Sequence, residues 1–213
     1  DTKPSLQPTA TRQGHRLWSK MARVRTPPVL EDLVDTCKLS VASDSPHSMT
    51  LDAMRHLFAD PAALASQIPR FTEAEVEPTA RGWLVGGEHL LHRDQDLTIM
   101  LIDTLPGVVQ PPHEHNVDVF IGVFEGCEEQ RFWKRTDDGI VSTPGQSLKA
   151  GDILSLGVQA VHAISAPRDQ HARAVHVYLG DVYDVARSVF HPESLLEHRY
   201  TSDRYDEFCR ASG

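Results

Sequence analysis

Twelve histidines stand among the 213 residues, and three of them have the spacing of metal ligands. His113 and His115 form an i, i+2 pair at the start of a strand-like run, so both imidazoles project from one face. His162 opens a later apolar run that follows Gly151-Asp152-Ile153-Leu154-Ser155-Leu156. Imidazole binds Fe, Zn, Cu and Ni, and three convergent imidazoles leave coordination positions open for substrate and oxygen. Glu114 alternates to the opposite face and is not expected in that set. A His-x-His pair alone is weak, because surface strands produce such pairs by chance. Its weight depends on the frame that holds it.

That frame begins after Arg81, where short apolar runs alternate with Gly, Pro and Asp. Strands are expected over 83–86, 88–93, 96–103, 117–124, 128–135, 139–142, 152–156, 161–166, 173–180 and 187–190. Ten short strands at this spacing predict an all-β sandwich or barrel spanning 81–192. Asp137-Asp138-Gly139 reads as a hairpin turn. Upstream, the segment 29–80 carries helical spacing: Leu30, Leu33 and Val34, then Leu51, Met54, Leu57 and Phe58. Pro61 suits the first turn of a further helix through Ile68. These helices are expected to pack rather than to react. Residues 193–213 read as a charged, aromatic C-terminal tail, with a short helix over 192–198 followed by an exposed end.

Composition sets the outer limits. The formal net charge is −9, yet residues 1–30 carry six basic side chains against Asp1 alone. Residues 1–28 therefore read as a basic, flexible arm. An acidic remainder disfavours nucleic acid as a partner. No run of 18 apolar residues and no apolar signal core is present, so neither a membrane span nor secretion is expected. Cys37, Cys127 and Cys209 are odd in number and widely spaced, which suits a reducing cytoplasm rather than a disulfide framework.

With these residues in view, the chain resembles the cupin superfamily. The first motif of that family, G(X)5HXH(X)3–4E(X)6G, is met by Gly107, His113, His115 and Gly126, with Val119 in the Glu slot. The second, G(X)5PXG(X)2H(X)3N, is met by Gly151 and His162, while Gly157, Gln159 and Ala166 occupy its other positions. Three histidines without the carboxylate resemble the cysteine dioxygenase-like thiol dioxygenases. Their Ser-x-His-x-Tyr strand is similar to Ala174-Val175-His176-Val177-Tyr178, which lacks the serine. Glu88-His89-Leu90-Leu91-His92-Arg93 is similar to a strand of the bacterial members.

The resemblance implies a mainly β fold, the cupin double-stranded β-helix or jelly-roll barrel, with N-terminal packing helices. It implies Fe(II) on His113, His115 and His162, and catalytic roles for His176 and Tyr178. The implied reaction takes a small thiol, such as cysteine or 3-mercaptopropionate, as thiolate on the iron and oxidises it with O2 to the sulfinic acid. Val119 excludes the Cys–Tyr crosslink of some relatives. The arginine that holds the substrate carboxylate in mammalian-type enzymes aligns near Glu88–His89, where no Arg stands. His89, Arg93 and Arg131 are the expected substitutes, with Arg168 and Arg173 as further choices. Thiol and O2 are the expected partners of a cytoplasmic monomer or homo-oligomer. Two alternatives stay open: a three-His cupin oxygenase that cleaves a carbon skeleton such as a diketone, and a non-catalytic cupin that binds a ligand.

Overall fold

The computed structural model describes residues 26–70 and 86–211. Most of the expected basic arm and the expected strand over 83–86 lie outside these residues. Three helices come first: α1 (Pro28–Val41), α2 (Pro46–Leu57) and α3 (Pro61–Gln67). Each carries Pro in its first turn, where the missing N–H costs nothing. Asp60 caps α3 by accepting from the Ala63 N–H at 2.9 Å.

Twelve strands follow: β1 (Gly86–Arg93), β2 (Thr98–Thr104), β3 (Val108–Val109), β4 (His113–Glu114), β5 (Val119–Thr136), β6 (Gly139–Lys149), β7 (Ile153–Leu156), β8 (Val161–Ser165), β9 (Ala172–Tyr178), β10 (Ser188–Phe190), β11 (Glu197–Arg199) and β12 (Arg210–Ala211). Every recorded pairing is antiparallel, and the order runs β1-β2-β9-β5-β8-β4-β10-β11. The 18-residue β5 joins two faces of the barrel. Its first half pairs with β7 and β9, and its second half pairs with β6 and β8. Gly126, at φ 78°, stands at the changeover; a Cβ there would lie 1.8 Å from the His171 carbonyl oxygen. This is the jelly-roll barrel with N-terminal helices expected from the sequence.

Period-2 alternation divides the core. Ile99, Leu101, Phe120, Phe124, Val175 and Val177 face outward and pack beneath the helices with Leu30, Leu33, Met54 and Phe58. Met100, Ile102, Val119, Ile121, Val123, Ala174 and Tyr178 face the barrel interior. No helix among the described residues is long and apolar enough to cross a membrane.

The C-terminal segment differs from the expected tail: no helix forms over 192–198, and the end is not exposed throughout. Residues 197–199 pair with β10, and α4 (Ser202–Phe208) buries Tyr205 and Phe208 with Cys209 and Val189. Thr201 caps this helix by accepting from the Arg204 N–H at 3.2 Å. Asp203, Arg204 and Glu207 are exposed, while its aromatic residues close one end of the barrel, a division that average composition conceals.

Candidate metal centre and its cavity

His113 lies on β4 and is paired directly with His162 on β8, while His115 follows β4 by one residue. All three side chains are buried, and one ring nitrogen from each lies within 4.8 Å of the others. His113 Nδ1 donates to the Pro111 carbonyl at 2.9 Å, and His162 Nδ1 donates to Gln130 Oε1 at 2.8 Å. Those bonds leave each Nε2 as the lone-pair atom. His115 Nε2 stands 2.9 Å from His162 Nε2, and His115 Nδ1 has no hydrogen-bond partner.

Two imidazole nitrogens so close need a proton or a cation between them. Burial pushes His113 down to about 4, and holds His115 and His162 well below the ordinary histidine value. The imidazolium form is therefore disfavoured and neutral imidazole is favoured, the state in which histidine binds a metal. The donor set fits a divalent transition metal with open positions.

The sheet facing the triad supplies His176 and Tyr178 from β9. His176 Nδ1 and the Tyr178 hydroxyl are 3.0 Å apart, and the Tyr178 ring packs against His115 with centroids 5.0 Å apart. His176 Nε2 is buried without a partner. Burial lowers the His176 value to about 3 and raises Tyr178 well above the usual phenol value. A buried N–H without an acceptor is the costlier orphan, so the proton belongs on Nδ1. Tyr178 then accepts from His176 and keeps its own O–H for the cavity. Ala174 supplies no hydroxyl behind this pair.

A cavity of about 340 Å³ opens in front of these residues. His113, His115, His176 and Tyr178 line one part; Met100, Ile102, Ile164 and Val182 supply apolar wall. Tyr200, Thr201, Ser202 and Tyr205 close it from the C-terminal segment. Glu88 and Arg187 bring its charges. The Arg187 guanidinium lies 3.5 Å from the Tyr200 ring centroid and donates to the Glu114 carbonyl at 3.5 Å.

The structure does not bring His89, Arg93 or Arg131 to this cavity. His89 pairs with Leu101, whose side chain lies under the helices, so it faces the outer side of the sheet. Arg93 makes two 2.6 Å bonds to Asp181 and lines a separate, more open groove that contains none of the three histidines. Arg131 is exposed on β5. Arg168 is exposed as well, and Arg173 is buried against Glu125, the Ile68 and Pro69 carbonyls and the Phe124 ring. Glu114 turns away from the triad and accepts from Arg135 at 2.7 Å.

The residues not foreseen are Arg187, Glu88, Gln130 and Glu128. Arg187 sits in an irregular stretch without a motif. Gln130 and Glu128 occupy alternate positions on β5, a polar pair on a face otherwise expected to be apolar. Gln130 Nε2 donates to Glu128 Oε1 at 2.6 Å, which gives the chain His162–Gln130–Glu128 behind the centre. Burial raises Glu128 to about 7.

No protein-family model and no curated protein matches the chain. Solved structures do resemble it, cupins among them. The DMSP lyase DddQ from Ruegeria pomeroyi DSS-3 is 18% identical over 74% of this chain and 77% of that one, with a TM-score of 0.43. An RmlC-like cupin with a double-stranded β-helix fold from Methanocaldococcus jannaschii is 15% identical over 54% and 91%, with a TM-score of 0.39. An oxalate decarboxylase from Lactobacillus farciminis is 21% identical over 41% of this chain, with a TM-score of 0.35. The chain spans 24% of that enzyme's length. These are likenesses of fold.

Proposed function

We propose that the protein is a thiol dioxygenase. It binds a small thiol as thiolate at Fe(II) on His113, His115 and His162 and converts it with O2 to the sulfinate. The observation that carries this reading is the convergence of three neutral imidazoles opposite the His176–Tyr178 pair, with no carboxylate among them.

When bound, the iron supplies the Lewis acidity that favours thiolate and the redox chemistry that activates oxygen. Three neutral ligands leave its charge uncompensated, which favours an anionic sulfur over a neutral one. The Tyr178 hydroxyl, oriented by His176, donates a hydrogen bond into the cavity toward the reacting groups. Its raised value keeps it protonated at neutral pH. The apolar wall of Met100, Ile102, Ile164 and Val182 limits water around the sulfur. Both oxygen atoms pass to sulfur, so thiolate plus O2 balances sulfinate without a further reductant.

A substrate carboxylate would be held by Arg187, which lines the cavity, rather than by Arg93 or Arg131. Metal content and oxygen consumption test the reading. Purified protein should hold about one iron per chain and consume O2 with cysteine, 3-mercaptopropionate or cysteamine, and His115→Ala should lose both properties. Iron-loaded protein that consumes O2 with none of these thiols, but does so with a diketone, would replace this reading with carbon-skeleton cleavage.

A further inference from the structure

Two opposite charges share the cavity without touching each other. Glu88 pairs across β1–β2 with Ile102, which faces the interior, so its side chain points the same way. Its side chain lines the cavity and is exposed to solvent there. Among the described residues it forms no ion pair and no hydrogen bond. Arg187 likewise has no carboxylate within ion-pair distance; its guanidinium rests on the Tyr200 ring. Arg187 is near enough for its charge to favour the ionised form of Glu88.

Water solvates that carboxylate in the open cavity, and a ligand that fills the cavity displaces this water and must bring a positive group in its place. Glu88 differs from other exposed acids in lining the cavity that His113, His115 and His176 also line. His176 Nε2, buried and without a partner, belongs to the lining of the same cavity. Both features point to a ligand with hydrogen-bond donors. The apolar stretch of Met100 and Ile102 lies on the strand beside Glu88 and suits a short hydrocarbon segment.

We infer that Glu88 is the specificity-determining residue for a cationic group on the substrate, so that the preferred ligand is a primary aminothiol with its ammonium on Glu88 and its sulfur toward the triad. This rests on the thiol reading of the centre. A carboxylate on the same molecule would meet Arg187, and the cavity would then hold a zwitterion between its two charges. A thiol with an anion alone leaves Glu88 uncompensated and faces its repulsion.

Binding to zinc-loaded protein tests this without turnover, because zinc holds thiolate and has no redox chemistry. Calorimetry on the wild type compares cysteamine with 2-mercaptoethanol, its neutral counterpart of similar size. Cysteamine should bind at least tenfold more tightly, and equal affinities would overturn the inference. Glu88→Gln should weaken cysteamine and cysteine at least tenfold while 3-mercaptopropionate stays within threefold or improves. A folded Glu88→Gln protein that binds cysteamine like the wild type would also overturn it. If no thiol binds the wild type, the thiol reading fails by itself. The charge claim is then judged on n-propylamine, which carries the cation without sulfur: Glu88-dependent binding sustains it and absence of binding refutes it.

Discussion

At the centre, the hydroxyl beside the triad is asked to act as the positioned proton donor. Tyr178 is held by His176 at 3.0 Å and packs on His115, yet it supplies no expected metal ligand. Tyr178→Phe should therefore keep the iron while lowering the rate of thiol oxidation by about 10²-fold, within the range for loss of a positioned proton donor. Metal analysis beside steady-state rates checks it, and loss of iron would mean that the ring holds the centre together instead. The triad was legible in the sequence because His-x-His and a distant third histidine are fixed in spacing by β4 and β8. Arg187 was not legible. Its place in the cavity comes from the path of the chain between β9 and β10, which no local pattern encodes.

Among the elements, β5 and the helices decide how firmly the barrel is braced. Gly122 on β5 faces α2, and a Cβ there would stand 2.4 Å from Phe58 Cζ and 2.8 Å from Met54 Cε. Both side chains are buried, so neither can swing aside. Gly122→Ala should destabilise the fold by about 1–3 kcal/mol through overpacking, measured as a lower midpoint in urea. Iron binding in the folded fraction should persist, because the triad lies on β4, β8 and the residue after β4. The alternating runs predict these strands but not which face each residue takes. His89 is expected in the cavity, whereas Glu88 is the residue that lines it, and one step along a strand exchanges inside for outside. The expected tail erred for another reason: α4 is short, and its burial depends on Gln110, which accepts from the Tyr205 hydroxyl far along the chain.

Across the whole molecule, buried titratable groups set opposing pH dependences. The histidines of the centre are held neutral, so their contribution is present above about pH 6.5 and is lost as pH falls in the metal-free protein. Glu128 acts in the other direction. Its folded value of about 7 exceeds the ordinary 4.5, so the folded state binds the extra proton and loses stability as pH rises between those values. Glu128→Gln removes that dependence. Between pH 4 and pH 8 the stability of the variant relative to wild type should rise by on the order of 3 kcal/mol, read from denaturant midpoints at each pH. A constant difference would show that Glu128 does not titrate in this window. The barrel itself was plain in the alternating runs, whereas the buried His162–Gln130–Glu128 chain depends on strand pairing between β5 and β8. In the proposed reaction both oxygen atoms end on sulfur. Iron-loaded protein turned over with a thiol under ¹⁸O2 should yield a sulfinic acid carrying both labelled atoms. A product with no label, or no sulfinic acid from any thiol, would contradict it.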